Sequence, residues 1–355
     1  MKWILPITIG LLASISLISL GSIAPDLIPR QFVYFLVGYI LFFLISKIRL
    51  RQLLNLSYVF YVSSLLVLIL LLVLGISTRA TVRWINLPMG FKVQPSQFIP
   101  LVISLFLANK LNSFKIDTWK GLLKYSFYIL LPTVLVFLQP DFGTSIVIAI
   151  SLFSTLFFSK IRAKQAATLF GVAVCVLVFA WLFILKPYQK VRMTGFLTSR
   201  GEVDQNSSYN ARQSLIAVGS GQVFGRGLGS GVQSHLRFLP ERQTDFIFAS
   251  IAEEWGFIGS LIIILLYFLL LSVLIYTAYR ADDPRHQLIL FVLFINLFLQ
   301  IVINIGMNMG LLPITGLTLP LLSYGGSSIL SFMIFLGLAF NVISLHKPKL
   351  SLTIK

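Results

Sequence analysis

Apolar residues run along this chain in long unbroken stretches, not in strand alternation or the spacing of a water-facing helix. Ten such stretches stand out, at residues 4–23, 32–46, 56–74, 96–108, 122–138, 142–158, 166–185, 246–276, 288–312 and 320–344. A helix needs about 20 apolar residues to cross the hydrocarbon core. Continuous apolarity points to helices, because a membrane barrel strand alternates between lipid and lumen. The pattern predicts an all-α membrane protein: a bundle of about ten transmembrane helices forming one polytopic domain over residues 1–355. Stretch 96–108 is short for a span. Stretch 4–23 follows Lys2 and could be read as a secretory signal, but Ala24-Pro25-Asp26 is a poor small-residue cleavage site, so it is taken as the first span.

Most connections are short. The exception is the loop 186–244, which is too long and too polar to span, and a long loop in a compact bundle is usually functional or disordered. It contains the glycine-rich run 218–231. Glycine permits both a phosphate cradle and close backbone packing. The run matches no P-loop or dinucleotide spacing and no strand precedes it, so packing is the favoured reading.

Composition agrees with lipid as the solvent. Hydrophobic residues make up 57% of the chain and charged residues only 11%, against roughly a quarter charged in soluble domains. Lys and Arg total 28 against 11 Asp and Glu, a net charge of +17. Such an excess can indicate nucleic acid, but no basic run interleaved with exposed aromatics is present, and no nucleic-acid partner is expected. About 16 of the 28 cations fall at one end of the predicted bundle: Lys2, Lys47, Arg49, Arg51, Lys110, Lys115, Lys120, Lys124, Lys160, Arg162, Lys164, Arg280, Arg285, Lys347, Lys349 and Lys355. The positive-inside rule makes this the cytoplasmic end, with both termini inside and the loop 186–244 outside. Cys175 is alone in an apolar run and is expected to be a small buried hydrophobe.

Acidic residues are scarce, so their places are informative. Asp117, Asp282 and Asp283 fall in cytoplasmic loops, and Glu202 and Asp204 in a polar outer turn. Asp141, Glu241, Asp245, Glu253 and Glu254 lie at the outer membrane boundary. An ionisable group placed there is costly and marks a candidate site. Asp245 begins the eighth helix and shares a face with Ala249, Ala252 and Gly256; it is either a site carboxylate above a cavity or a helix-dipole partner. Glu253 and Glu254 are expected to pair with Arg or backbone donors, and Asp141 to cap the sixth helix. The outer loop gathers Lys186, Lys190, Arg192, Arg200, Arg212, Arg226, Arg237 and Arg242, which suit an anionic phosphate-bearing substrate. The three His residues have no metal-ligand spacing, and no nucleophilic Ser or Cys motif is present.

Several blocks, in order, resemble the SEDS proteins, the RodA, FtsW and SpoVE group of bacterial cell-wall polymerases. They are Arg83-Trp84-Ile85 with Gln94-Pro95-Ser96, Gln139-Pro140-Asp141-Phe142-Gly143-Thr144, and Lys186-Pro187-Tyr188-Gln189 with Tyr209-Asn210 and Gln213-Ser214. Further along come Leu239-Pro240-Glu241, Thr244-Asp245-Phe246-Ile247-Phe248-Ala249, Ala252-Glu253-Glu254, Asn304-Ile305-Gly306, Leu312-Pro313, and Pro320 through Ser328. The resemblance implies a peptidoglycan glycosyltransferase that polymerises lipid II at the outer face of the cytoplasmic membrane with a class B penicillin-binding transpeptidase. It places the family's essential aspartate on Asp245, as general base or as ligand of a divalent cation (Mg or Mn). Lys190, Arg192 and Arg212 are then expected to contact the pyrophosphate, and Glu241, Gln94 and Ser96 to bind substrate.

The chain departs from the family at one place. Gln97 and Pro100 stand where the pattern has a Glu and a Lys on the fourth helix. Losing both partners of an ion pair leaves a neutral site, whereas losing one strands a charge. Pro100 should bend the fourth helix or delay its start. A lipid II flippase and a non-catalytic scaffold for a transpeptidase are the competing readings. The motifs divide between the elongation and division branches.

Overall fold

A computed structural model describes residues 3–74, 83–86, 92–158, 161–184, 190 and 205–345. Each of the ten apolar stretches contains a helix: α1 (Ile4–Ile23), α2 (Ile28–Lys47), α3 (Leu50–Leu74), α4 (Ile99–Lys110), α5 (Trp119–Leu138), α6 (Phe142–Phe153), α7 (Ala163–Phe179), α10 (Ile247–Arg280), α11 (Pro284–Asn308) and α12 (Gly326–Leu345). Two more, α8 (Gln205–Ser220) and the single turn α9 (Val232–His235), lie in the long loop. Among the described residues seven helices are long and apolar enough to cross a membrane. The other three, α4, α6 and α7, are lengthened by a 3₁₀ turn at Pro95–Phe98, a 3₁₀ turn at Ser154–Phe158 and a π turn at Ala180–Ile184. Ile85–Asn86 and Lys92–Val93 pair as a small antiparallel ribbon.

The ends of these helices follow local chemistry. The Thr118 side chain accepts from the Gly121 amide to start α5, and Asp283 accepts from the Arg285 amide to start α11. Each satisfies one of the amides a helix leaves open at its N-terminus. Pro100 sits in the first turn of α4, so the helix proper begins only at Ile99, after the Pro95–Phe98 turn. This is the delayed start expected of a proline. The last predicted stretch begins at 320, but α12 starts at Gly326, because Leu321 has a positive φ of 65° and the intervening residues form turns.

Close helix approach depends on small residues, as in other bundles where lipid removes the hydrophobic drive for association. A Cβ added at Gly38 would lie 2.8 Å from Met333, and one at Gly337 would lie 2.6 Å from the Phe42 carbonyl oxygen. Asn341 then ties the base of α12 to the α2–α3 turn, donating to the carbonyls of Ser46 and Ile48, each at 2.7 Å. Cys175 is exposed on α7, contrary to the buried position expected of it. That helix presents its apolar side chains outward along most of its described length, and in lipid an outward apolar residue carries no solvation cost.

Helix α10 is broken. Gly256 has φ 67° and ψ −160° inside the continuous run Ile247–Arg280. A break in lipid would strand backbone groups, and the glycine-rich run satisfies them. The amides of Arg226 and Gly227 donate to the carbonyls of Glu253 and Glu254, and the amides of Phe257 and Ile258 donate to those of Gln222 and Val223. Only glycine permits this approach: a Cβ at Gly221 would lie 1.9 Å from the Ala252 oxygen and one at Gly225 would lie 2.1 Å from that of Glu254. At these positions the run packs against the helix, the favoured of its two readings.

Candidate active site

Asp245 occupies the turn before α10, and three successive carbonyls of that turn are each held. The Gln243 carbonyl accepts from the Tyr324 amide at 2.8 Å, and the Thr244 carbonyl from Ser323 Oγ at 2.6 Å. The Asp245 carbonyl accepts from Asn304 Nδ2 at 3.0 Å and Asn308 Nδ2 at 3.1 Å. Within the turn, the Glu241 carbonyl receives the amides of Thr244 and Phe246, with Glu241 at φ 49°. The Asp245 side chain is half-buried, and its Oδ2 would stand 3.7 Å from a Cβ added at Gly316. Arg242 anchors the other side through Nη2 to the Ile23 carbonyl at 3.2 Å. Burial, with Arg237 beside it, pulls the Arg242 guanidinium below its usual range.

Asn308 joins four parts of the site. Its Oδ1 accepts the Ala249 amide at 3.0 Å, capping the first turn of α10, while its own carbonyl accepts from Ser214 Oγ of α8 at 2.8 Å. Its Nδ2 donates to the carbonyl of Asn304 as well as to that of Asp245. Both asparagines are fully buried. They continue a row on α11, Asn296, Gln300, Asn304 and Asn308, spaced four apart and so on one helix face. Sequence reasoning noted Asn304 only as part of a motif and missed Asn308; four amides repeating every fourth residue in an otherwise apolar helix was the available signal.

A second acidic corner adjoins this one through residues 315–317. Asp141 caps α6, Oδ1 receiving the Thr144 amide at 3.4 Å. It also pairs with Arg83 at 3.5 Å and accepts from Gln94 Nε2 at 2.7 Å. The Arg83 Nε donates to the Gln139 carbonyl, and the Gln94 amide donates to Ser327 Oγ. A Cβ at Gly143 would meet the Thr315 oxygen at 3.0 Å and Leu317 Cγ at 3.3 Å. The segment after α11 therefore lies between the Asp141 cap and the Asp245 turn.

The remaining acids on α10 serve the loop. Glu253, fully buried, accepts from the Gln233 amide at 2.8 Å and from the amide and hydroxyl of Ser234 at 3.0 and 2.6 Å. Glu254 Oε1 accepts from Ser22 Oγ at 2.5 Å and the Gly229 amide at 3.2 Å, and lies 3.0 Å from His235 Nε2. Backbone donors, one of the two partners expected of this pair, do hold both.

The structure distributes the other predicted residues unevenly. Glu241 lies in the Asp245 turn, where its Oε2 accepts from Thr244 Oγ1 at 3.1 Å. Gln94 and Ser96 are buried, and the Gln94 side-chain amide donates to Asp141 while its backbone amide donates to Ser327. Arg212 is exposed on α8, two residues before Ser214. Lys190 Nζ lies 3.5 Å from the Leu182 carbonyl. Arg192 and the block Lys186-Pro187-Tyr188-Gln189 lie outside the described residues. Among the described residues no three His, Cys, Asp or Glu side chains converge on a metal position, and the carbonyls around Asp245 are occupied by donors.

The comparisons bear on what this arrangement is for. The family profile described as cell cycle protein, FtsW/RodA/SpoVE, matches residues 1–347. The peptidoglycan glycosyltransferase MrdB of Helicobacter pylori is 35% identical, covering 89% of this chain and 82% of its own. That of Escherichia coli K12 is 37% identical over 82% of this chain and 78% of its own. A probable peptidoglycan glycosyltransferase FtsW of Coxiella burnetii is 34% identical over 96% and 95%. Among solved structures, a chain of a peptidoglycan synthase complex studied for the coordination of polymerisation and crosslinking superposes with TM-score 0.81 at 31% identity, covering 96% of both chains. Thermus thermophilus RodA superposes with TM-score 0.71 at 29% identity, over 96% of this chain and 95% of its own. Matched in profile, in relatives and in fold over nearly its whole length, the chain belongs to the FtsW/RodA/SpoVE family.

Proposed function

We propose that this protein is a peptidoglycan glycosyltransferase that polymerises lipid II at the outer face of the bacterial cytoplasmic membrane. The observation that carries the reading is the Asp245 turn, with its carbonyls locked in place and its carboxylate against Gly316. In the reaction, a sugar hydroxyl oxygen bonds to the anomeric carbon of the donor, whose bond to the lipid-linked phosphate breaks. The pyrophosphate leaves with the electron pair, and the hydroxyl proton passes to the Asp245 carboxylate as general base. Arg212, Lys190 and Arg192 of the loop are assigned to the charge on the departing pyrophosphate. Holding two lipid-tethered substrates in line lowers the barrier further. A divalent cation carried by the substrate pyrophosphate would be held by Asp245 and would offset charge on the leaving group. Both termini are placed in the cytoplasm, and a class B penicillin-binding transpeptidase is the proposed partner.

The test is glycan synthesis from purified lipid II, with and without the transpeptidase, and with Mg²⁺, Mn²⁺ or chelator. Wild-type protein should form polymer, and Asp245→Asn should lower the rate by about 10²–10⁴-fold while still binding the partner. The Gln97 and Pro100 replacements favour one other reading, a scaffold without activity. Absence of wild-type polymer under every condition, with partner binding intact, would establish that scaffold in place of the enzyme.

A further inference from the structure

At the opposite end of the bundle lies a basin unrelated to Asp245. Arg285 and Asn308 stand at opposite ends of α11, and Asn308 touches the Asp245 turn, so the basin at Arg285 is roughly 35 Å away at about 1.5 Å per residue. It is a cavity of about 600 Å³ lined by the α2–α3 turn, the start of α11 and the end of α12. Lys47, Arg49, Arg51 and Arg285 all line it and all are exposed; His286 and the Ser344 hydroxyl complete its polar wall.

Charge balance in the basin is one-sided. Among the described residues no carboxylate lines it. Asp283, just outside, pairs with Arg285 at 2.6 Å, and that pairing holds its carboxyl below the usual range. Lys47, Arg49 and Arg51 thus face the cavity together. Orientation alone asks for cations near this membrane surface, but it does not ask for them to line one concavity. The turn that carries them is also fixed: Asn341 holds the carbonyls of Ser46 and Ile48. Such a site matches a phosphate, which guanidinium groups bind bidentately. Immediately beside it, Ile40, Phe43 and Leu44 of α2 are exposed apolar side chains, 52%, 43% and 56% accessible. They form a surface for hydrocarbon adjoining a surface for phosphate.

We propose that this basin is a binding site for a phosphate-bearing anion, supplied by an anionic phospholipid whose headgroup sits on Lys47, Arg49 and Arg51 and whose chains lie along α2. The site is independent of the reaction at Asp245, and binding, not polymer synthesis, is what tests it. Full-length protein in detergent is titrated with phosphatidylglycerol or with phosphatidylcholine, and retained lipid is counted by native mass spectrometry. Phosphatidylglycerol should be retained in preference, and the double variant Arg49→Gln/Arg51→Gln should weaken its retention roughly tenfold. A control, Lys115→Gln/Lys164→Gln, removes the same charge from the same end of the bundle outside the basin and should leave retention unchanged. Equal loss in the control, or no preference for phosphatidylglycerol in the wild type, overturns the site. Glycerol phosphate supplies the second arm: if it binds with the same dependence on Arg49 and Arg51 and phosphatidylglycerol does not displace it, the site stands but the lipid source is wrong. Unfolding temperatures of both double variants separate loss of the site from loss of the fold.

Discussion

Asp245 and the pair Glu253 and Glu254 lie on one short stretch of chain, and at Asp245 buried donors also fix the main chain. At Glu253 and Glu254 the carboxylate oxygens receive the donors: two amides and a hydroxyl at one, a hydroxyl and an amide at the other, with His235 alongside. At Asp245 the two asparagines hold the backbone carbonyl and so fix the main chain that carries the half-buried carboxylate. Buried carboxylates surrounded by donors act as fasteners, since removing one would leave several buried donors unsatisfied. A general base needs a rigid main chain that positions its carboxylate to meet a proton from substrate.

Substitutions can break that comparison, and the largest effect should come from Asp245→Asn, the 10²–10⁴-fold loss of polymer synthesis given above. Its unfolding temperature, measured alongside, separates a lost base from a lost fold, since the main-chain bonds of the turn remain. Next comes Asn308→Ala, which removes a donor from the Asp245 carbonyl and the cap from Ala249. A displaced catalytic group costs on the order of 10²-fold in rate, so kcat should fall by about that factor with KM little moved. A rise in KM at constant kcat would relocate Asn308 to substrate binding. Glu253→Gln should instead lower unfolding stability by about 2–3 kcal/mol, since its amide nitrogen must confront a donor from residue 233 or 234. Folded Glu253→Gln protein should polymerise at near the wild-type rate, and a loss as steep as that of Asp245→Asn would erase the distinction. Smallest is Ser22→Ala, which removes one of the donors to Glu254 and should cost about 1 kcal/mol in the same unfolding assay.

The membrane fold was legible because lipid imposes it: ten long apolar stretches in a chain with few charges leave little besides a helical bundle. Helix ends were legible where a cap or proline marks them, as at Asp141 and Pro100, and not at Pro320 through Gly325, where the apolar run simply continues into turns. The break at Gly256 was hidden for the same reason. Trp255-Gly256-Phe257 is as apolar as the helix around it, and the groups that make the break tolerable lie some thirty residues upstream in the glycine-rich run. Asp245 was singled out from its scarcity and position, and the resemblance sharpened it. The clamp around it could not be read, since carbonyl–amide pairs between α11 and the turn are contacts across 59 and 63 residues that no local pattern encodes. Likewise the Gln94 side chain donates to Asp141 across 47 residues, a pairing its motif does not encode.

The interruption at Gly256 also settles a matter of bilayer thickness. The 34 residues of α10 would reach about 51 Å as a straight rod, against a hydrocarbon core of about 30 Å. Ending the rod at Gly256 leaves residues 257–280, about 36 Å, a length that a moderately tilted helix accommodates. The stub before the break is gripped instead by the glycine-rich run. A bilayer that thins or thickens can then be met by tilting the lower segment alone, while the carboxylate at the head of the stub keeps its height relative to the loop that faces it.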